Sequence, residues 1–121
     1  MALNEKTPWP TELRLNKDKD TLTVTFEGGE SYAFPAEMLR VMSPSAEVQG
    51  HSPDERTLVH GKKNVKIMIL ERVGNYAIKI HFDDLHNTGI FSWSYFHELG
   101  KEKDARWRGY LDELEKAGRS R

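Results

Sequence analysis

Apolar residues alternate with polar ones along four stretches of the chain. Leu13 and Leu15 begin the pattern, and Leu22, Val24 and Phe26 continue it with Thr21, Thr23 and Thr25 between them. This period of two predicts strands with one buried face. The polar run Asn16 to Asp20 separates the first two strands. Glu27-Gly28-Gly29-Glu30 supplies the positive φ angles of a tight hairpin into a third strand over Ser31 to Phe34. Further on, Val65, Ile67 and Ile69 predict one apolar face, and Tyr76, Ile78, Ile80 and Phe82 predict another, with Glu71 to Asn75 turning the chain between them. Ile90 and Phe91 complete the expected set of short, antiparallel strands.

The period changes at Phe34-Pro35-Ala36-Glu37-Met38-Leu39-Arg40. Pro35 fits the first turn of a helix, Met38, Leu39 and Met42 share one face, and Pro44 stops the run. Ser43 to Thr57 is rich in Ser, Pro and Gly and is expected to be a polar loop. Ser92 is placed to cap a helix from Trp93 to about Leu99, with Gly100 ending it. From Lys101 to Ala117, Trp107, Tyr110, Leu111 and Leu114 form a helical stripe, and Glu102/Arg106 and Asp112/Lys116 stand four apart. That stripe is expected either to pack within its own domain or to meet another chain. The division is then a flexible start (1–10), a folded domain (11–100), and a C-terminal helix with a solvated tail (101–121). The class is α+β: a single domain with a curved, mostly antiparallel β-sheet, short helices and a C-terminal amphipathic helix.

Composition narrows the possible functions. At 121 residues and 37% hydrophobic content the chain supports one core. Its formal net charge of -1 argues against a general nucleic-acid binder, which needs a cationic surplus to neutralise phosphates. With no cysteine, thiolate ligands, thiol nucleophiles and disulfides are excluded, which agrees with a cytoplasmic protein. No apolar run is long enough to span a bilayer, and the first residues have no signal-peptide core.

The candidate chemistry is concentrated between Val73 and Gly100. His81 and Asp83 stand two apart at a strand end, the local half of a two-histidine, one-carboxylate iron site. The second histidine would have to come from His51, His60, His86 or His97, and nothing selects among them. Asp83, Asp84 and His86 form an acidic turn that could hold a divalent ion, or could close on its own backbone as an Asx turn. Asp83 and Asp84 are neighbours and point to opposite sides, poor geometry for joint acid–base work. No nucleophile elbow and no nucleotide fingerprint is present.

Several of these stretches together resemble a known family. Thr11 to Leu15, Phe34 to Arg40, Ser43-Pro44-Ser45-Ala46-Glu47-Val48, Val73-Gly74-Asn75-Tyr76-Ala77, and Phe82-Asp83-Asp84-x-His86-x-Thr88-Gly89-Ile90-x-Ser92-Trp93 look like the bacterial domain family DUF971. That family is similar to the N-terminal domain of gamma-butyrobetaine hydroxylase. The resemblance covers roughly residues 11 to 100. In the hydroxylase this domain holds a zinc ion through three cysteines and a histidine. Matching Leu39-Arg40 and Pro44 places Ser43, Ser45 and Val48 at the cysteine positions and His86 at the histidine. Serine hydroxyls are weak neutral ligands and valine is none, so no zinc site and no cofactor is expected. Leu85 stands where glycine is usual in the family, and Asn87 where aspartate is usual.

The resemblance implies a non-enzymatic accessory domain. Related domains are fused to P-loop ATPases carrying iron–sulfur clusters, which implies a partner protein in iron–sulfur or iron metabolism, such as an iron–sulfur carrier ATPase. The expected contact surface comprises Arg40, Ser43, Ser45, Glu47, His51, Asp83, Asp84 and His86. Two alternatives stand beside it: a metal-binding protein using His81, Asp83 and His86, and a non-catalytic subunit of an oxygenase. The resemblance also requires the loop after Arg40 and the turn around His86 to meet in space.

Overall fold

The computed structural model of the chain describes residues 8–50 and 53–121. Its first sheet is antiparallel, with β2 (Thr21–Phe26) between β1 (Pro10–Leu15) and β3 (Ser31–Pro35). Leu22, Val24 and Phe26 are buried while the threonines between them are half-buried, as the alternation predicts. The first turn is closed by Asn16, whose side-chain carbonyl accepts from the backbone N–H groups of Asp20 at 3.0 Å and Thr21 at 3.1 Å. The second turn uses Gly28 and Gly29 at φ 90° and 99°, a region closed to most other residues. Residues 1–7 lie outside the described chain, but the expected flexible start is too long. Pro10 pairs with Phe26, and Glu27 N–H donates to the Trp9 carbonyl at 2.9 Å. On an edge strand the missing N–H of a proline leaves no ladder bond unmade.

The second sheet is also antiparallel, with β5 (Ala77–Phe82) between β4 (Ile67–Val73) and β6 (Ile90–Ser92). The strands therefore form two three-stranded sheets. Their inner faces share one core with α1 (Ala36–Val41) and α3 (Trp93–Lys101), in which Phe26, Phe34, Met38, Leu39, Ile80, Phe91, Phe96 and Leu99 are essentially inaccessible. Ile67 N–H donates to the Lys19 carbonyl at 2.8 Å, tying the start of β4 to the first sheet.

Two positions depart from simple alternation. Ile69 is 57% exposed, not buried with Ile67, because the register slips between those residues, and such a bulge turns the following side chains to the other face. Tyr76 lies in the turn before β5 and is exposed; Ile78, Ile80 and Phe82 carry the inner face without it.

The helices also differ in detail from expectation. Pro35 closes β3 with extended angles and precedes α1 as its cap residue, outside the first turn. Ser92 caps α3 by accepting from Tyr95 N–H at 3.1 Å. Gly100 does not end that helix, which runs on to Lys101. A Cβ at Gly100 would strike the Tyr32 ring, so this glycine permits close approach of α3 to β3. After Glu102, α4 (Lys103–Ala117) packs Tyr110 and Leu114 against Val41, Met42, Leu58 and Val59. Trp107, Tyr110 and Leu114 of the stripe thus pack within the domain, while Leu111 is exposed. Gly118, at φ 65°, turns the chain back. The tail 119–121 is exposed, as expected, yet it is tethered: Arg121 pairs with the buried Glu37 of α1.

Candidate functional site

The segment after Arg40 is not the solvated loop its composition predicts. Ser45 caps a short helix, α2 (Ala46–Gln49), by accepting from Glu47 N–H at 3.0 Å. That turn pulls Ser43, Ser45 and Val48 inward, and all three are buried. On the other side, Phe82 ends β5 and the chain reverses through Asp83 to Gly89. Leu85 takes φ 73°, and Phe82 N–H donates to the His86 carbonyl at 3.0 Å. The reversal turns the His86 ring toward Ser43.

The two segments meet through side chains. His86 Nε2 lies 2.9 Å from Ser43 Oγ, and His86 Nδ1 lies 3.1 Å from a Glu47 carboxylate oxygen. A carboxylate only accepts, so the neutral ring carries its proton on Nδ1 and the Ser43 hydroxyl donates to Nε2. Thr88 donates to Ser45 Oγ at 2.9 Å, a second tie between the same segments. Gly89 lies against Ser43 so closely that a Cβ there would overlap the serine hydroxyl. Beside this group, Asp84 accepts from Arg40 Nε at 2.8 Å, pairs with Lys62 Nζ at 2.6 Å and accepts from His86 N–H at 3.1 Å.

The charges follow from this packing. Burial alone would raise the Asp84 carboxyl, but hydrogen bonds from Lys62, Arg40 and the His86 backbone outweigh it and bring the pKa down to about 2. Burial and the nearby Arg40 charge push the His86 imidazole below its ordinary value, only partly offset by Glu47 and Asp84. His86 is therefore held neutral, in the tautomer the hydrogen bonds require.

Serine, histidine and carboxylate are connected here in the order of a hydrolase triad, yet the exposure is reversed. A working triad opens its hydroxyl to substrate and buries its acid. Here Ser43 has no accessible surface, while the Glu47 side chain is 62% exposed. With Gly89 closing over the hydroxyl, no acyl group reaches it. The arrangement is a clasp between two segments.

The zinc that the resemblance associates with these positions does not fit them. Val48 offers no donor, the hydroxyls of Ser43 and Ser45 are neutral and engaged by His86 and Thr88, and both His86 ring nitrogens are occupied. The trio His81, Asp83 and His86 is not assembled either. His81 bonds Glu71 across the sheet at 2.8 Å, Asp83 accepts from Lys66 N–H at 3.0 Å, and His86 faces inward. Among the described residues no three His, Cys, Asp or Glu side chains are grouped to hold a metal ion.

The expected contact surface is thereby divided. Ser43, Ser45 and His86 are interior, Arg40 and Asp84 are half-buried and paired, and Glu47 and Asp83 remain exposed. His51 lies outside the described residues. Lys62 joins the site unannounced, since nothing in the polar stretch around it marks it as a partner for Asp84. Among the described residues, the most exposed large apolar side chain is Leu85, at 86%, on the tip of the turn. It borders a groove of about 330 Å³ lined by Met68, His81, Phe82, Asp83 and Asn87.

Fold and site together define a small α+β domain whose polar centre is a structural clasp beneath an exposed turn. Residues 13–97 match the family described as gamma-butyrobetaine hydroxylase-like, N-terminal, and the chain belongs to that family. Two proteins solved in solution by NMR are similar to it. One is 47% identical with a TM-score of 0.81, covering 95% of this chain and 90% of its own. The other is 41% identical with a TM-score of 0.82, covering 100% and 90%. A crystal structure of a protein of unknown function in the DUF971 family, from Acidithiobacillus ferrooxidans ATCC 23270, is 32% identical with a TM-score of 0.66, covering 80% of this chain and 98% of that one. No curated protein matches the chain. Among the described residues no helix is long and apolar enough to cross a membrane.

Proposed function

We propose that this domain is a non-enzymatic accessory module that binds a partner protein through the turn Asp83–Gly89 and the adjoining edge of β4. The observation that carries this reading is Leu85. A leucine in the left-handed region costs about 1–2 kcal/mol relative to a right-handed conformation, and its side chain is 86% in water. Neither property helps the isolated fold. Both make sense if the turn presents an apolar knob to another molecule, with strain held at the contact point. Met68 and Ile69 are exposed on β4, an edge strand, and extend the apolar surface beside the groove. Glu47 and Asp83 add acidic groups, and the Arg40–Asp84–Lys62 pairs together with the His86–Ser43 clasp hold the turn in place from beneath.

The class of partner comes from the family resemblance. Domains of this kind are joined to cluster-carrying P-loop ATPases, which supports an iron–sulfur carrier ATPase as the binding partner and iron–sulfur metabolism as the setting. The test is an NMR titration of the ¹⁵N-labelled domain with a purified carrier ATPase. Saturable shifts centred on Leu85, Asn87 and Met68, abolished by Leu85→Asp, are expected. An unchanged spectrum at excess ATPase, or shifts that survive Leu85→Asp, would overturn the reading.

A further inference from the structure

Glu37 poses a separate question. It lies on α1 with only 4% of its surface accessible, and a carboxylate withdrawn that far from water needs a cation or donors to replace its hydration. Among the described residues the cation hydrogen-bonded to it is Arg121, contributed from beyond the end of α4. The guanidinium grips both oxygens: Nη2 reaches Oε1 at 2.7 Å, and Nε reaches Oε2 at 3.1 Å. Its guanidinium carbon lies over the Trp107 ring, 5.4 Å from the centroid. Ser120 adds one backbone bond, accepting from Gly61 N–H at 3.1 Å. The receptor and its occupant are unequal in burial, since the Arg121 side chain is 43% exposed while that of Glu37 is 4% exposed. The slot therefore opens to solvent on the side of the arginine.

We infer that Glu37 and Trp107 form an arginine-recognition slot, filled in cis by Arg121 and able to take an arginine side chain from an extended peptide segment of a partner protein. A buried carboxylate with an aromatic plate beside it matches a guanidinium in three ways that an ammonium cannot equal: two parallel hydrogen bonds, planarity and weak hydration. The cis occupant is held by its side chain and by two backbone bonds after the reversal at Gly118, Arg119 N–H to the Leu114 carbonyl at 2.9 Å and Gly61 N–H to the Ser120 carbonyl at 3.1 Å, while its guanidinium stays open to solvent on one side, so it competes with an incoming arginine without sealing the slot. This surface is distinct from the Leu85 turn, and its test does not depend on that reading.

The experiment uses the full chain carrying Arg121→Ala, titrated with the tetrapeptide Gly-Arg-Ser-Arg and with its analogue ending in lysine, following the indole N–H signal of Trp107. The arginine peptide is expected to bind saturably, at least tenfold tighter than the lysine peptide and at least tenfold tighter to the variant than to the unmodified chain. Adding Glu37→Gln should abolish it. If Arg121→Ala does not fold, Arg121→Lys keeps a cation over Glu37, loosens the cis grip and serves in the same titration. A folded variant whose Trp107 signal does not move at millimolar peptide, or which binds both peptides equally, overturns the proposal. Self-association of the variant in place of peptide binding also overturns it.

Discussion

His86 Nε2 stands 2.9 Å from Ser43 Oγ although 43 residues of chain separate them. That bond joins the turn after β5 to the segment after α1, and both groups are buried. Leaving one partner of a buried hydrogen bond unpaired costs about 1–3 kcal/mol, which exceeds the net contribution of the intact bond. Ser43→Ala should therefore destabilise the domain by about 1–2 kcal/mol, and His86→Ala by about 3 kcal/mol, because it also leaves a cavity and releases Glu47. Urea unfolding would show this as a lower midpoint at unchanged slope. The clasp reading also predicts that a fluorophosphonate probe leaves Ser43 unlabelled in the folded protein, whereas a triad serine would react.

The same cluster predicts how stability depends on pH. Asp84 titrates at about 2 in the fold and near its ordinary 3.8 when unfolded, so the unfolded chain binds the proton more readily. Its contribution is complete above about pH 4 and is lost as the pH falls toward 2; a shift of this size corresponds to about 2 kcal/mol. His86 acts in the same direction at higher pH. Its folded pKa is depressed below 6.5, so the unfolded imidazole takes up the proton first, and stability declines as the pH drops below about 6.5. Thermal unfolding should show two acid-side decreases. His86→Gln should remove the upper one, and Asp84→Asn should reduce the lower, to which Asp20 and Glu30, also held below their ordinary values by hydrogen bonds, contribute.

Gly89 offers a steric test of the same geometry. A Cβ at this position would overlap the Ser43 hydroxyl and would lie 3.2 Å from the Phe91 ring. Overpacking of this kind costs typically 1–3 kcal/mol. Gly89→Ala should fall in that range. Because the obstructing atom is the serine oxygen, the double variant Gly89→Ala/Ser43→Gly should keep the cost of unpairing His86 but lose less than the sum of the two single losses, a non-additivity that a double-mutant cycle in urea would measure.

Much of the fold was legible because alternation fixes which strand face is buried. Leu22, Val24 and Phe26, and later Ile78, Ile80 and Phe82, fall where their spacing places them. The failures have local physical causes. A bulge at Met68 reversed Ile69, and no composition rule marks a bulge. The Ser43–Thr57 stretch read as solvent-facing because serine and proline usually are, yet here the hydroxyls of Ser43 and Ser45 replace water with His86 and Thr88 as partners. The meeting of that stretch with His86 followed from the family resemblance; periodicity could not have supplied a pairing across 43 residues. Arg121 seemed free because its partner, Glu37, looked like an ordinary first-turn helix acid. Only the tertiary packing shows that this acid is buried.

Leu85 separates stability from binding most sharply. In the left-handed region glycine escapes the Cβ penalty, while the unfolded chain gains freedom when glycine replaces leucine; the two effects oppose, leaving a net gain of about 0.5 kcal/mol for Leu85→Gly. Little packing is lost, because the side chain is 86% exposed. The thermal midpoint should therefore stay level or rise by a few degrees. Leu85→Ala retains the left-handed strain and should give no such rise. If the turn binds a carrier ATPase as proposed, affinity should fall for both variants, since burying a leucine side chain at an interface contributes about 1.5–3 kcal/mol, equivalent to at least a tenfold loss of affinity on its removal. Calorimetry of the carrier ATPase with each variant, beside thermal melts of the domain alone, measures both quantities. Leu85→Gly that lowers stability would show that the leucine packs on its own domain, and unchanged affinity would remove the turn from the interface.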